Sequence, residues 1–481
     1  MSVNTAKKDL NLLYLAIYVV IVALFFFVLP PFEPITKAGM RLLGIFLAAI
    51  IGWSITSEIW PSLLTFLLLP FTGLVNLSGV LSLSYGSDMG LMVVVMMVFV
   101  AYLEASSTTN YVASYLMTRK MLVGHPWRLI FMIFLIAYLI SSFCGNFPGM
   151  LITWSFVYSI SRELGYKPYD KFPSLLVFGI AVMGALSLSA VPWANNALVI
   201  LNSYAASSGT PINYAHYLFY SVPYGIFSIL AFLLLCKFIF RLDVSKLKNF
   251  KPDFIKPEDL VLTTERKIAL VSLLTVILLY LVPSILPAGN AIRAVFDQMG
   301  LSLRLVIVMI VLSLIKVNGK HIFHFSSLAA KGVPWDMVMM LIGILSFVGL
   351  LSSPDAGISA FLAKTLTPLF QNNGVAFLFF ITVIVTVILT NFMINMVVAV
   401  IMISAVVPIA ASLGVDPLQI VYLITITCTI AFALPAASAA SCVLFANKEW
   451  IKPADIYKYS LPTIIVLTLI AVFWNLVVFM F

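Results

Sequence analysis

Charge is scarce in this chain: Asp, Glu, Lys and Arg make up 9% of its 481 residues. Soluble chains carry roughly a quarter, so a water-soluble globular fold is excluded. Cysteine is scarce too. Cys144, Cys236, Cys428 and Cys442 all lie in apolar segments without paired spacing, which excludes a disulfide framework and a Cys-x-x-Cys metal site. Histidine is limited to His125, His216, His321 and His324, in connections or at segment ends. His321 and His324 stand three apart, yet no Asp, Glu or Cys lies close in sequence to complete a metal site. No His-Glu-x-x-His, paired-aspartate or Ser–His pattern stands out, so an intramembrane enzyme is disfavoured and no cofactor is expected. The lack of a Gly-rich phosphate loop argues against ATP-driven transport by this chain alone.

What is present is apolar. Hydrophobic residues make up 62% of the chain, and the mean hydropathy is +1.12. At about 20 apolar residues per crossing, the fold class expected is an all-α polytopic membrane protein with about eleven transmembrane helices. The net charge of +9 gathers in short connections such as 119–128 and 237–267. That is the pattern of cytoplasmic loops facing anionic lipid under the positive-inside rule, not of a nucleic-acid surface. Residues 10–29 are long enough to span and no small-residue cleavage site follows, so they read as an uncleaved first helix. The expected setting is an integral multi-pass protein of the plasma (inner) membrane.

The hydrophilic stretch 241–267 contains Pro252 and Pro257, which break any long helix. It is too short for a domain and divides the chain almost in half. It reads as a cytoplasmic linker between residues 1–240 and residues 268–481. Two Asn-centred clusters, 245 residues apart, fall in those halves: Ser141-Ser142-Phe143-Cys144-Gly145-Asn146-Phe147-Pro148-Gly149, and Thr386-Val387-Ile388-Leu389-Thr390-Asn391-Phe392. With Asn146 placed over Asn391, Ser141 falls on Thr386, Gly145 on Thr390 and Phe147 on Phe392. Asp88 and Asp336 open two further apolar stretches, 248 residues apart. This predicts two repeats, each with a re-entrant hairpin (about 88–117 and 334–366) and a broken helix (about 128–160 and 374–410).

A second pair of irregular patches follows, Ser187 to Asn196 and Leu434 to Ser441, each with a proline (Pro192, Pro435). The same offset sets Trp193 on Ser438 and Asn196 on Ser441. A proline frees a carbonyl one turn back, and carbonyls and hydroxyls suit a hard cation. Asn offers a carbonyl acceptor and two N–H donors, so it can touch both a cation and an anion. Ser141, Thr386 and Thr390 add hydroxyls. Broken half-helices aim N-terminal dipoles at an anion and C-terminal carbonyls at a cation. No Lys, Arg or His lies inside either Asn cluster, so a coupled cation is the expected source of positive charge. Glu58, Asp88, Glu104, Asp336 and Asp355 sit near predicted segment ends and none beside the clusters in sequence, which favours an oxygen-lined cation site over a proton relay. A lone buried Asn is ordinarily glue between helices; Asn395 fits either role. Asn146→Ala or Asn391→Ala is expected to abolish transport with folding intact.

These residues, together with Glu58-Ile59-Trp60-Pro61-Ser62-Leu63-Leu64, Val333-Pro334-Trp335-Asp336 and Phe445-Ala446-Asn447, resemble the divalent anion:sodium symporter family of the ion transporter superfamily. The resemblance covers nearly the whole chain. It implies two inverted-topology repeats, a homodimeric scaffold and an elevator-type alternating-access motion that moves dicarboxylates, citrate or sulfate, usually with sodium. The family's Ser-Asn-Thr signature corresponds here to Gly145-Asn146-Phe147 and Thr390-Asn391-Phe392, which would contact substrate with Pro192, Trp193 and Ser438. The first sodium site would use Ser141, Gly145, Asn146 and Leu188. The second would use Thr386, Leu389, Asn391 and Ala437. The function expected is sodium-coupled symport of a small anion. Phe147 and Phe392, standing where the family has threonines, point to an anion with an apolar portion or an atypical small anion. A sodium-independent exchanger or channel of the same fold is the alternative.

Overall fold

The structure, a computed structural model, describes residues 2–55, 59–210, 212–249, 255–287, 289–333, 335–351, 353–358, 360–361, 364–365, 374–435 and 437–480. Helix α1 (Ser2–Ala23) continues as a π-helical turn (Leu24–Val28) and packs on α2 (Lys37–Ile55), which packs on α3 (Trp60–Leu68). After α4 (Leu77–Leu83) come α5 (Asp88–Ala105), α6 (Thr108–Met117), α7 (Pro126–Cys144), α8 (Asn146–Glu163), α9 (Lys171–Leu186), α10 (Asn195–Ser208) and α11 (Tyr214–Leu234). The linker leads to α12 (Thr264–Ile285) and α13 (Ala291–Leu314), a two-stranded turn at Lys316–His321, and α14 (Phe325–Gly332). The last helices are α15 (Trp335–Leu351), α16 (Gly374–Phe392), α17 (Asn395–Ser412), α18 (Pro417–Thr427), α19 (Ala439–Ala446) and α20 (Pro453–Met480). Ser87, Asn213, Thr263, Asn290 and Asp416 each cap the helix that follows by accepting a first-turn amide. Nine helices among the described residues are long and apolar enough to cross a membrane. Shorter apolar helices, α18 among them, account for the remainder of the about eleven expected.

The buried centre is α9, which is enclosed along its apolar length. Helices α7 and α8 both pack along it, and α19 packs on it from the other half. The order of elements then recurs: α5, α7–α8, α9–α10 and α11 in the first half; α15, α16–α17, α18–α19 and α20 in the second.

The two halves run in opposite senses. At the start of α9, the Tyr169 hydroxyl donates to the Lys448 carbonyl (2.7 Å) and the Ser174 hydroxyl to the Trp450 carbonyl (2.8 Å), just beyond the end of α19. Midway, where both helices break, the Ser189 and Thr429 hydroxyls meet at 3.2 Å. Helix α10 packs on α18. The broken helix α9–α10 therefore crosses the broken helix α18–α19 antiparallel, break against break.

The positions of hairpin and broken helix differ from expectation. Residues 128–160 fold back as α7 and α8, which pack against each other along their length. A Cβ on Gly149 would lie 2.1 Å from the Ser141 Oγ, a distance only a reversed chain can produce. Gly145 makes the reversal, at φ 88° and ψ 155°, backbone that only glycine adopts readily. Residues 187–194 and 428–438 hold the true interruptions of crossing helices. In the second half, α16 and α17 are joined through Met393 and the extended Ile394. In the stretch expected as the first hairpin, α5 is long enough to span by itself, followed by the short α6. The second arm of the hairpin expected at 334–366 lies in part outside the described residues.

Two fastenings tie the connections down. Gly300 interrupts α13 (φ 60°, ψ −168°), and the Asp88 carboxylate accepts the amides of Leu301 (2.9 Å) and Ser302 (3.1 Å), capping the helix that resumes there. In the linker, Arg266 donates to the carbonyls of Glu258 (3.0 Å) and Val261 (2.7 Å) and lies over the Tyr111 ring of α6.

Gly149→Val is expected to destabilise the protein, because the close approach of α8 to Ser141 leaves no room for a branched side chain. Overpacking of this kind costs about 1–3 kcal/mol. A melting curve of purified protein checks it; an unchanged midpoint would mean the hairpin opens freely.

Candidate functional site

The first break gathers residues expected together. Ser141, Gly145, Leu188 and Trp193 line one small pocket with Ser142, Phe143, Ala194, Met96 and Val100. Its free volume is about 10 Å³, near the lower limit for one water molecule. Ser141 is 3% exposed, and its hydroxyl has no hydrogen-bond partner. The Trp193 ring lies 6.4 Å from Phe143 and 5.8 Å from Tyr280, centroid to centroid, and its Nε1–H has no acceptor. The Nδ2 of Asn196, in the first turn of α10, is likewise buried and unpaired. Asn146 is buried beside Gly184.

Part of the backbone freed at this break is paired from α11. The hydroxyls of Tyr217 and Ser221 on α11 donate to the carbonyls of Ser189 (2.6 Å) and Ala190 (2.8 Å). Sequence reasoning missed both, because their role depends on α11 lying against the break.

The second break is more fully paired. Asn391 sits in the last turn of α16, with Nδ2 donating to the carbonyls of Val387 and Ile430, both at 2.8 Å. Its Oδ1 accepts the amides of Phe432 (3.2 Å) and Ala433 (2.9 Å). Both donors and both acceptor positions of the carboxamide are thus used. Thr386 donates to Thr382 O at 2.6 Å. The Thr390 hydroxyl lies between the Cys428 carbonyl and Asn395 Oδ1, 3.0 Å away. Ser438 donates to Ala431 O (2.7 Å) while capping α19, and Ser441 donates to Leu434 O (2.6 Å). Ala437 is fully buried and Leu389 partly so.

The two asparagines are therefore not equivalent. Asn146 is the first residue after the α7–α8 reversal, whereas Asn391 precedes its break; Asn395, first residue of α17, occupies the place matching Asn146. The phase of the helix decides this, and a fixed sequence offset does not report it. Phe392 is 64% exposed rather than enclosed; the Phe147 side chain lies outside the described residues. Pro192 is buried within the first break. Glu104, remote from the clusters in sequence, stands in the last turn of α5, which packs on α7. Among the described residues, no group of three His, Cys, Asp or Glu side chains could hold a metal ion.

Asn391→Ala is expected to cost folding stability as well as any activity, contrary to the sequence expectation. It strands the Ile430 carbonyl and the Phe432 and Ala433 amides in an apolar interior, at about 1–3 kcal/mol for each buried group left unpaired. A melting midpoint equal to that of the parent protein would show that these groups find other partners.

Residues 5–319 match the citrate transporter family. Among curated proteins no sequence match was found. The fold is similar to the crystal structure of the Alcanivorax borkumensis YdaH transporter, described as having an unusual topology. The TM-score is 0.58 at 14% sequence identity, covering 83% of this chain and 87% of that one. These findings agree with the resemblance drawn from the sequence motifs. The chain is an integral multi-pass membrane protein and belongs to the citrate transporter family.

Proposed function

We propose that this secondary transporter carries a small carboxylate of the citrate class together with a sodium ion, and that both engage the first break. One observation carries the reading. At the first break three buried polar groups lack partners, the Ser141 hydroxyl and the N–H donors of Trp193 and Asn196. Buried polar groups are nearly always paired, and an unpaired one calls for a ligand or water. Two neutral N–H donors suit a carboxylate. A hydroxyl in a hole of this size, beside the carbonyl-rich 187–194 stretch, suits one small hard cation. The second break offers less, because the Asn391 carboxamide is already used on the Ile430 carbonyl and the Phe432 and Ala433 amides. The cation site expected around Thr386, Leu389, Asn391 and Ala437 thus has less support than the one around Ser141, Gly145, Asn146 and Leu188.

Phe392 is largely exposed, so it lends less support to an apolar substrate. Citrate, the substrate that gives the family its name, accordingly becomes the first candidate. Alternating access would carry the first break from one side of the membrane to the other, and a homodimer would supply the fixed frame. A second reading, proton coupling, draws support from Glu104, a carboxylate at the end of α5, which packs on α7.

Uptake into proteoliposomes tests this. Citrate is expected to accumulate with an inward sodium gradient and not with potassium. Accumulation driven by a pH gradient alone would favour Glu104 and overturn sodium coupling. Flux indifferent to both would indicate an exchanger or channel. Trp193→Phe keeps the ring and removes the donor, so the KM for citrate is expected to rise about tenfold, the equivalent of one hydrogen bond. Ser141→Ala is expected to raise the sodium concentration needed for half-maximal uptake; an unchanged sodium dependence would exclude the Ser141 site.

A further inference from the structure

Away from both breaks, a groove of about 570 Å³ opens on the outer face of α1, α2 and α3. Its walls are nearly all apolar, including Val19, Val22, Phe26, Phe27, Leu64 and Phe71. The exception is Arg41, one turn inside the start of α2. Its guanidinium lies 5.3 Å from the centre of the Phe26 ring, and one Nη donates to the Phe71 carbonyl over a long 3.3 Å. The Nε is sealed from solvent and has no partner. Among the described residues no carboxylate forms an ion pair with Arg41. Lys37, exposed and one turn earlier, shares its helix face.

An arginine near a helix end in a membrane ordinarily extends its head to water. Arg41 instead sets its guanidinium in the wall of an apolar groove, with one Nη on the Phe71 carbonyl and, among the described residues, no carboxylate beside it. We propose that the groove is a binding site for an anionic phospholipid, its phosphate on Arg41 and Lys37 and one acyl chain along Val19, Val22 and Phe27. A basic pocket between transmembrane helices is a recognised setting for an anionic lipid headgroup. The fork geometry of arginine matches phosphate oxygens. A second copy of the chain fits less well, because a two-fold contact through this face brings the same patch, cation included, from both sides. Free phosphate fits only the mouth, since it leaves the apolar walls unfilled.

The full-length protein in detergent tests this by its melting midpoint with added lipid. A ligand that binds the folded state raises that midpoint with its occupancy. Phosphatidylglycerol is expected to raise it by about 2 °C or more beyond phosphatidylcholine of the same chains. Arg41→Gln is expected to abolish this excess and Arg41→Lys to keep part of it. Val19→Trp fills the groove while leaving Arg41 in place, and it too should remove the excess. Equal shifts from the two lipids, or an excess that survives both Arg41→Gln and Val19→Trp, would overturn the proposal. So would an equal shift from inorganic phosphate, which would leave an anion site with no lipid.

Discussion

Pairing of backbone groups in an apolar medium is the constraint on which the rest of this structure depends. Hydrocarbon offers no water to an amide or carbonyl released from a helix, so each needs a partner within the protein. Two crossing helices break here, at 187–194 and 428–438, and the neighbours of each break are the elements that can meet its demand. Helix α11 lies against the first because Tyr217 and Ser221 reach the carbonyls of Ser189 and Ala190. The last turn of α16 lies against the second because Asn391 reaches three residues of that strand-like stretch. The central crossing, with Ser189 beside Thr429, follows from bringing both exposed stretches into one shielded place.

The two repeats answer that constraint differently. Hydroxyls from α11 donate to two carbonyls of the first break. Its inward-facing groups, Ser141, Trp193 and Asn196, are left available. At the second a carboxamide donates and accepts at once, with the hydroxyls of Thr390, Ser438 and Ser441 on further carbonyls. An architecture repeated in element order has thus diverged in what each break can offer a ligand. That divergence gives the first half the larger share of the proposed chemistry.

Much of this was legible in the sequence. Sparse charge and long apolar runs set the fold class, and the 245-residue offset located both interrupted regions in each half. The gathering of Ser141, Gly145 and Leu188 at one pocket was also expected. Three features were not legible, each for a physical reason. A chain interruption reads alike whether the next helix continues onward or turns back; the reversal at Gly145 rests on the close approach of Gly149 to Ser141, a tertiary contact. Asn146 and Asn391 align by offset but fall on opposite sides of their interruptions, because the helix ends do not share that offset. Phe392 is largely exposed, a state that its apolar neighbours in sequence do not announce. Glu104 illustrates the converse, a residue distant along the chain on a helix that packs against α7.

The antiparallel crossing also has a mechanical side. Ser174 and Tyr169 pin one end of the pair to residues 448–450, and Ser189 pins the middle to Thr429. One rivet would let two crossed beams swivel like scissors; rivets at separated points lock the angle. The two broken helices are therefore held as a single strut built from both halves of the chain. Any displacement of the first break must drag the second with it, so motion of the site belongs to the joined pair rather than to either repeat.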